Sequence, residues 1–196
     1  MKPAHPFYMI RHGETDWNRE QRFQGQMDIP VNPTGLAQAA AYADMLRAER
    51  DDWSGWYFVA SPLSRTRTTM EVLREGLGMA PGDYALDDDL KEVTFGDWEG
   101  HTLEALRDEV PHLVAAREAD KWNFVAPGGE SYAIAVDRVR RFLERLQGPS
   151  LIVTHGGIIR GTRHLLEAIE GDAAARGRIP QDNIYRFDGN RGRWLR

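Results

Sequence analysis

The chain contains no cysteine among its 196 residues. This absence excludes disulfide bonds, zinc–thiolate sites and a cysteine nucleophile together. Disulfides form and persist mainly in oxidising compartments, so a chain without them fits the cytoplasm. We therefore expect a cytoplasmic protein, and a secreted protein that lacks disulfides remains the alternative.

Long apolar runs are also missing from the sequence. No run approaches the roughly 20 residues that a helix needs to span a bilayer, so we expect no membrane partner. Residues 1–10 contain Pro3 and Pro6 and lack the apolar stretch of a signal peptide. We therefore expect no signal peptide.

An excess of positive charge is the third absence. The 25 Lys and Arg residues stand against 30 Asp and Glu, which gives a formal net charge of -5. Proteins that bind nucleic acid favour a basic face, so we expect no nucleic acid partner. Any phosphate site must then be a local basic pocket. Repeats and Ser/Gly linkers are absent too, and the length suits one domain over residues 1–196.

The apolar patterning predicts strands and helices in alternation. Short apolar runs predict strands at 7–10, 56–60 and 150–154, and a terminal hairpin at 183–187 and 193–195. Helical patterns cover 32–50, 61–77, 102–110, 113–120, 131–146 and 156–168. Residues 83–90 fit a loop or an edge strand. Alternation with continuously apolar central strands predicts an α/β fold, a three-layer α/β/α sandwich with a largely parallel sheet.

For two of the helices the sequence indicates the N-cap residues. Asn32 is expected to cap the first long helix with Pro33 at its first position. Its apolar face is predicted to contain Leu36, Ala39, Ala40, Ala43 and Leu46. Ser61 and Pro62 are expected to cap the next helix, which carries Arg65 in its first turn.

Two predicted strands end in the same way, in a histidine followed by glycine. His12 follows the first strand and Arg11, and His155 follows the strand at 150–154. Ligands bind outside the carboxyl ends of strands in such sheets, so parallel neighbours would bring both imidazoles into one crevice. A lone histidine more often has a core or surface role. The matched pair favours a functional site.

Arginine supplies the positive charge of this expected site. Arg65 lies in the first turn of a helix, where the helix dipole disfavours a cation unless an anion lies nearby. Arg65 and Arg11 together would offer two planar guanidinium groups, each of which can donate paired hydrogen bonds to phosphate oxygens. The alternative is that each is a solvated surface arginine. Glu92 precedes an aromatic and Gly-rich segment, where a glutamate would keep a proton and act as a general acid. On composition alone, a surface role for Glu92 is favoured.

The segment Arg11-His12-Gly13-Glu14-Thr15 resembles the signature of the histidine phosphatase superfamily, in the branch that contains cofactor-dependent phosphoglycerate mutase. Four motifs follow the order that the family uses, over residues 7 to 160. The further matching residues are Asn18, Phe23-Gln24-Gly25, Asp28-Ile29-Pro30, Gly35, Ser61-Pro62-Leu63-Ser64-Arg65, Thr68, Leu90-Lys91-Glu92, Phe95-Gly96-Asp97-Trp98-Glu99-Gly100 and Thr154-His155-Gly156-Gly157.

The resemblance implies a phosphoglycerate mutase-like fold and a role for each matching residue. His12 would be the nucleophile that becomes phosphohistidine. Arg11, Arg65 and His155 would bind the transferred phosphoryl group, and Glu92 would protonate the leaving oxygen and then activate water. The implied substrate-binding residues are Asn18, Gln24, Gly25 and Gly156.

This set of residues would work without a metal. Phosphoryl transfer needs positioning and charge stabilisation at the phosphate oxygens. Two arginines and a charged His155 would supply both. The sequence has no HExxH motif, P-loop or acidic cluster for magnesium, so we expect no metal and no cofactor.

The short segment between Glu92 and His155 favours a phosphatase. A mutase must shield its phosphorylated intermediate from water, which needs an enclosing structure over the site. Residues 127–131 also resemble a segment of the family's small phosphatases. The sequence thus favours a hydrolase of a small-molecule phosphate ester. A cofactor-dependent phosphoglycerate mutase and a catalytically silent phosphate-binding module remain alternatives.

Two questions stay open at the level of the sequence. One is whether five aromatic side chains line the substrate pocket or fill the core: Trp17, Phe23, Trp98, Trp122 and Phe124. Core packing is the commoner role of such residues. The other is a homodimer through the helix at 131–146, for which an intramolecular core role is favoured.

Overall fold

A computed structural model describes residues 3–196 of the chain. The expectation that the N-terminus is no signal peptide falls partly on residues 1 and 2, which lie outside the described residues. Across 3–196 one sheet has six strands in the spatial order β3-β2-β4-β1-β5-β6. The strands are β1 Phe7–Arg11, β2 Tyr57–Ala60, β3 Ala85–Leu86, β4 Ser150–Thr154, β5 Ile184–Phe187 and β6 Gly192–Leu195.

The pairing of these strands confirms the largely parallel sheet. β1 and β2 both pair in parallel with β4, and β3 pairs in parallel with β2. β5 runs antiparallel to β1 and to β6, which gives the hairpin expected at the C-terminus. β3 is the edge strand that the sequence left open between loop and strand.

Helices cover both faces of the sheet. α2 Pro33–Glu49 and α3 Ser64–Gly76 lie on one face, and α6 Tyr132–Glu144 and α7 Gly156–Glu167 lie on the other. The remaining helices are α1 Asp16–Arg19, α4 Leu103–Glu109, α5 Pro111–Ala119 and α8 Gly171–Arg176. On one face Met9 and Ile152 pack with Phe142 of α6 and Ile158 of α7. On the other face Leu151 packs with the apolar residues of α2 and α3. The three-layer α/β/α architecture is therefore confirmed.

The start of α2 follows the sequence expectation, but its buried face does not. Asn32 caps the helix, and its side chain accepts a hydrogen bond of 2.9 Å from the Gly35 N–H. Leu36 is 41% exposed and Ala40 is exposed. The buried side is formed by Gly35, Ala39, Tyr42, Ala43 and Leu46. The prediction of Leu36 and Ala40 on the apolar face is wrong, because the helix turns Gly35 toward the chain that follows β1.

The start of α3 also differs from the expectation. The helix begins at Ser64, and its N-cap is Leu63, which forms no side-chain cap. Ser61 and Pro62 lie before the helix. The Ser61 hydroxyl lies 2.9 Å from a ring nitrogen of His155 and therefore serves the site. Arg65 still falls in the first turn of α3, as predicted.

No pattern in the sequence indicated α1 and α8. Both are short, and isolated helices of such length have too few hydrogen bonds to offset the cost of nucleation. Side-chain caps stabilise each one: Thr15 and Asn18 form a capping box at α1, and the Glu170 carboxylate accepts two backbone N–H bonds at α8. Within residues 3–196, no helix has the length and the apolar character that crossing a bilayer requires.

Direct backbone contact joins the turn after β1 to the first turn of α2. A Cβ added to Gly13 would lie 2.3 Å from the Gly35 carbonyl oxygen, and one added to Gly35 would lie 2.2 Å from the Glu14 carbonyl oxygen. Real Cβ atoms do not approach backbone atoms so closely. Glycine at both positions thus lets α2 pack directly behind the predicted nucleophile.

We predict that Gly35→Ala destabilises the protein by about 1–3 kcal/mol, the usual cost of overpacking a tight contact. The added methyl group would push α2 away from the turn that carries His12. Chemical denaturation, followed by circular dichroism, measures the change. Gly82→Ala is the control, because nothing lies within 4 Å of a Cβ at that position. Equal midpoints for the two variants would contradict the backbone contact.

Candidate active site

The predicted histidines meet at the carboxyl ends of two neighbouring strands. The register pairs Arg11 of β1 with Thr154 of β4, so His12 and His155 are the next residues on the two parallel strands. The backbone N–H of His12 donates to the Thr154 carbonyl at 2.9 Å. The two ring centroids are 5.2 Å apart, with an interplanar angle of 60°. The shared crevice expected from the sequence is present.

Burial and hydrogen bonding fix the chemical state of His12. The residue is 3% exposed, and its Nδ1 lies 2.7 Å from the Gly13 carbonyl oxygen. A carbonyl only accepts, so Nδ1 carries the proton and Nε2 keeps its lone pair. Burial lowers the pKa of His12 well below its ordinary value, and Arg65 and Arg11 lower it further. The imidazole is therefore neutral at pH 7.

His155 is neutral in this structure as well, and its charged form beside a bound phosphate stays a prediction. Its side chain is fully buried, and its Nε2 lies 2.9 Å from the Ser61 hydroxyl. Burial lowers the pKa of His155 well below its ordinary value, and Arg65 is the next contributor. Its Nδ1 has no hydrogen-bond partner among the described residues. A phosphate dianion beside the ring would raise the pKa again, because an opposite charge favours the protonated form.

Arg65 is held in place by the chain that precedes α2. Its side chain is fully buried, and its Nη2 and Nη1 donate to the carbonyls of Gly25 and Met27, both at 2.7 Å. The Glu99 carboxylate fixes these carbonyls, because it accepts the N–H groups of Gln26 and Met27. Nε of Arg65 has no protein partner within residues 3–196. The Nε–H thus remains for a ligand.

Arg11 brings a second guanidinium to the crevice. Its Nη1 donates to the Ile179 carbonyl at 2.9 Å, and its buried Nε has no partner in the described chain. Burial lowers the pKa of Arg11 to about 10, and Arg160 is the next contributor. The group therefore stays protonated at pH 7. In residues 3–196 neither Arg11 nor Arg65 forms an ion pair with a carboxylate.

The Glu92 side chain lies against the N-terminus of α7 and faces the same crevice. Its Oε1 accepts hydrogen bonds from the Val93 N–H at 2.9 Å and the Gly157 N–H at 3.0 Å. Its charge raises the pKa of both Arg11 and Arg65, so it lies close to both. A Cβ on Gly157 would lie 2.2 Å from Oε1, so glycine is required there. Backbone N–H groups thus hold the carboxylate in place, and its role as general acid stays a prediction.

The predicted substrate-binding residues surround this centre at different distances. Asn18 is linked to His12 through Gln181, whose Nε2 contacts both. Gln24 is buried, and its Oε1 lies 2.9 Å from the Thr15 hydroxyl. The carbonyl of Gly25 accepts a hydrogen bond from Arg65 and is therefore already used within the protein. Gly156 lies beside Arg11, whose Nε would be in ordinary contact, at 3.6 Å, with a Cβ at that position.

Most of the aromatic residues belong to the core rather than to the crevice. Trp98 is 2% exposed and contacts the rings of Phe23 and Phe124. Trp122 stacks on Tyr132 and lies near His164. Trp17 is half-buried and lies close to Gly100. The core alternative is therefore the better description of Phe23, Trp98, Trp122 and Phe124.

The sequence did not single out three residues that organise the site. Ser61 lies within the second arginine motif, where the sequence pattern indicates only a helix cap. Glu99 belongs to the acid motif, and its position before Gly100 offered no hint of its contact with Gln26 and Met27. Gln181 lies in a loop without a motif, so no signal in one sequence could have indicated it.

The arrangement fits an anion better than a cation. Two unpaired guanidinium groups and two imidazoles converge, and a tetrahedral oxyanion matches such donors. No group of three or more metal-ligating side chains occurs in the part of the chain that the structure describes. A neutral imidazole whose Nε2 keeps its lone pair has the form that a nucleophile requires.

Comparison with known proteins agrees with this geometry. The family model of the histidine phosphatase superfamily, branch 1, matches residues 7–195. The probable phosphoglycerate mutase GpmB of Salmonella paratyphi C (strain RKS4594) is 30% identical, over 96% of this chain and 86% of that protein.

Two solved structures extend the comparison. TTHB049 from Thermus thermophilus is 31% identical with a TM-score of 0.71, over 97% of this chain and 96% of that one. Mycobacterial hydrolase 1 is 27% identical with a TM-score of 0.77, over 98% of this chain and 96% of that one. The resemblance and the phosphoglycerate mutase-like fold inferred from the motifs are confirmed. With a family model that spans nearly the whole chain, the protein belongs to branch 1 of the histidine phosphatase superfamily.

Proposed function

We propose that the chain is a metal-independent phosphomonoester hydrolase that works through a phosphohistidine at His12. The observation that carries this proposal is the state of His12. Its imidazole is neutral, its Nδ1 is held by the Gly13 carbonyl, and two guanidinium groups without carboxylate partners lie beside it. Neutral imidazole is the form that attacks phosphorus.

The first half of the proposed reaction forms the phosphohistidine. Arg11, Arg65 and His155 bind the oxygens of the phosphoryl group and stabilise the charge that spreads over them in the transition state. Nε2 of His12 then forms a bond to phosphorus as the ester P–O bond breaks. Glu92 donates a proton to the leaving oxygen, which departs as the alcohol. The proton on Nδ1 stays hydrogen-bonded to the Gly13 carbonyl.

The second half restores the enzyme. A water molecule occupies the place of the departed alcohol beside Glu92. Glu92 takes a proton from this water as its oxygen bonds to phosphorus and the N–P bond breaks. The products are inorganic phosphate and neutral His12, and Glu92 holds a proton for the next cycle. The same carboxylate serves both halves because the leaving group and the water use the same position.

The proposed substrate is a small-molecule phosphate ester, and the proposed unit is one domain over residues 1–196. Hydrolysis is favoured over transfer to a second substrate because residues 93–154 are few and their aromatic side chains are used for packing. Mycobacterial hydrolase 1, as its name says, is a hydrolase. The Salmonella relative bears the name of a mutase, so phosphoglycerate mutase is the second candidate.

We predict that His12→Ala lowers the hydrolysis of para-nitrophenyl phosphate by at least about 10³-fold, because the nucleophile is lost. The assay contains EDTA, and wild-type turnover under these conditions is expected. His112→Ala is the control, because His112 is an exposed histidine on α5. A wild-type protein that hydrolyses no phosphomonoester would overturn the enzyme proposal and favour the binding module.

We expect Glu92→Gln to slow alkyl phosphates more than aryl phosphates, by about 10-fold or more. An alkoxide must be protonated as it leaves, and general acid catalysis contributes about 10²–10⁴-fold, whereas an aryl oxide leaves without a proton. Steady-state rates of glycerol phosphate and para-nitrophenyl phosphate measure this ratio. Glu104→Gln, at an exposed carboxylate of α4, is the control. Equal slowing of both substrates would argue against proton donation.

The mutase candidate has its own test. Wild-type protein is incubated with a phosphoglycerate and a trace of bisphosphoglycerate, and the two phosphoglycerates and free phosphate are followed by ³¹P NMR. We expect phosphate release to exceed interconversion, because the site lacks a long enclosing segment. Interconversion faster than release would replace the hydrolase by the mutase.

A further inference from the structure

The loop before β5 touches three residues of the proposed phosphoryl site. This loop, residues 177–183 and here named the β5 loop, follows α8. The Ile179 carbonyl accepts the Nη1–H of Arg11 at 2.9 Å. Nε2 of Gln181 lies 3.0 Å from the His12 carbonyl oxygen and 3.2 Å from Oδ1 of Asn18. A segment far along the chain therefore reaches both the nucleophile and a predicted phosphate ligand.

The orientation of both carboxamide groups follows from their neighbours. The His12 carbonyl only accepts, so the Gln181 atom facing it must be the NH₂ group. The backbone N–H of Thr15 only donates, and it lies 3.1 Å from the Asn18 side chain, so the atom facing it must be Oδ1. The usual ambiguity between amide oxygen and nitrogen is removed on both sides.

The fixed oxygen of Asn18 leaves its NH₂ group for another partner. Oδ1 accepts from the Thr15 N–H and from Gln181, and the Thr15 hydroxyl lies 3.2 Å away as well. None of the residues 3–196 accepts a hydrogen bond from Nδ2 of Asn18. A carboxamide held in this way offers two N–H donors in a fixed direction, which is what a phosphoryl oxygen requires.

We propose that Gln181 is a positioning residue of the phosphoryl site. It ties the backbone of His12 to the side chain of Asn18, and it holds the NH₂ group of Asn18 in the direction of the transferred phosphoryl group. The inference rests on the proposed function, since the anion is the phosphoryl group of the substrate. Gln181 contacts His12 at its backbone carbonyl, and its proposed role is to hold Asn18 in place.

A purely structural role for Gln181 would have a different signature. The β5 loop joins α8 to a strand that pairs with β1, and a hydrogen bond from this loop to the His12 backbone stabilises that junction in any case. Loss of such a bond lowers stability without affecting Asn18. A positioning role instead makes the effect of Gln181 depend on the presence of Asn18.

The experiment is a double-mutant cycle with two readouts. The variants are Gln181→Met, Asn18→Ala and the double variant, with Gln147→Met as control, because Gln147 is an exposed glutamine after α6. Methionine keeps the unbranched shape of glutamine and removes both donors. One readout is kcat/KM for para-nitrophenyl phosphate in EDTA, and the other is the affinity for orthovanadate by titration calorimetry, which needs no turnover.

We expect Gln181→Met to lower kcat/KM and vanadate affinity by about 10-fold, the effect of one hydrogen bond worth about 1.4 kcal/mol. The double variant should lie within about 2-fold of Asn18→Ala alone, because the two residues act as one unit. Gln147→Met should match the wild type in both readouts.

Three results would overturn the inference. One is independent, multiplying effects of the two substitutions. Another is unchanged kinetics and affinity with a lowered melting temperature, which marks a structural role. The third is a wild-type protein that does not bind vanadate. Absence of turnover together with a coupled loss of vanadate affinity would instead reject the hydrolase and retain the positioning role of Gln181.

Discussion

The burial of two positive charges beside two neutral imidazoles is the constraint on which the site depends. Arg65 is buried and Arg11 is partly buried, and in the described chain neither forms an ion pair with a carboxylate, although the charge of Glu92 raises the pKa of both. Isolated buried charge is costly, so the backbone carbonyls of Ile179, Gly25 and Met27 offset part of that cost. The remaining unsatisfied N–H groups are what an anion would bind. Burial keeps His12 and His155 unprotonated, and the same positive charges lower the pKa of both further.

Glycine makes this concentration of groups possible. Gly13 and Gly35 bring the turn after β1 against α2, and Gly157 brings the first turn of α7 against Glu92. A Cβ at any of these positions would fall within 2.3 Å of another atom. The backbone N–H of Gly157 then serves the carboxylate directly, in the place where a helix N-terminus favours negative charge. The close packing at Gly157 thus fixes the position of Glu92 and, with it, the place of a negative charge near Arg11 and Arg65.

The parts of this site that the sequence predicted are those that follow from strand topology. Apolar runs ending in His-Gly indicated β1 and β4, and parallel pairing then required His12 and His155 to meet. The position of Arg65 in the first turn of α3 followed in the same way. The charge states of the histidines could not be predicted from the sequence in this way. The neutral form of His155 depends on full burial and on Arg65 across the crevice, and no local pattern reports either.

Apart from the meeting of the two histidines, the sequence did not predict the long-range side-chain contacts of the site. The buried side of α2 depends on Gly35 against Glu14, and a face drawn from apolar residues alone placed Leu36 inside. The role of Ser61 depends on His155, which lies on another strand. Gln181 lies in a loop with no helical or strand pattern, and its partners are a carbonyl and an amide more than 160 positions away. Such contacts exist only after β5 has paired with β1.

That pairing gives the C-terminal hairpin a consequence for the chemistry. β5 pairs along the side of β1 that is opposite β4, with Met9 facing Tyr185. Without it β1 would be an edge strand, and the β5 loop would have no fixed place beside Arg11. The hairpin therefore completes the sheet and, through Ile179 and Gln181, sets the half of the crevice that holds Arg11 and Asn18. The two histidines are positioned by the parallel strands β1 and β4, whereas the loop of the antiparallel addition holds the side chains of Arg11 and Asn18 beside them.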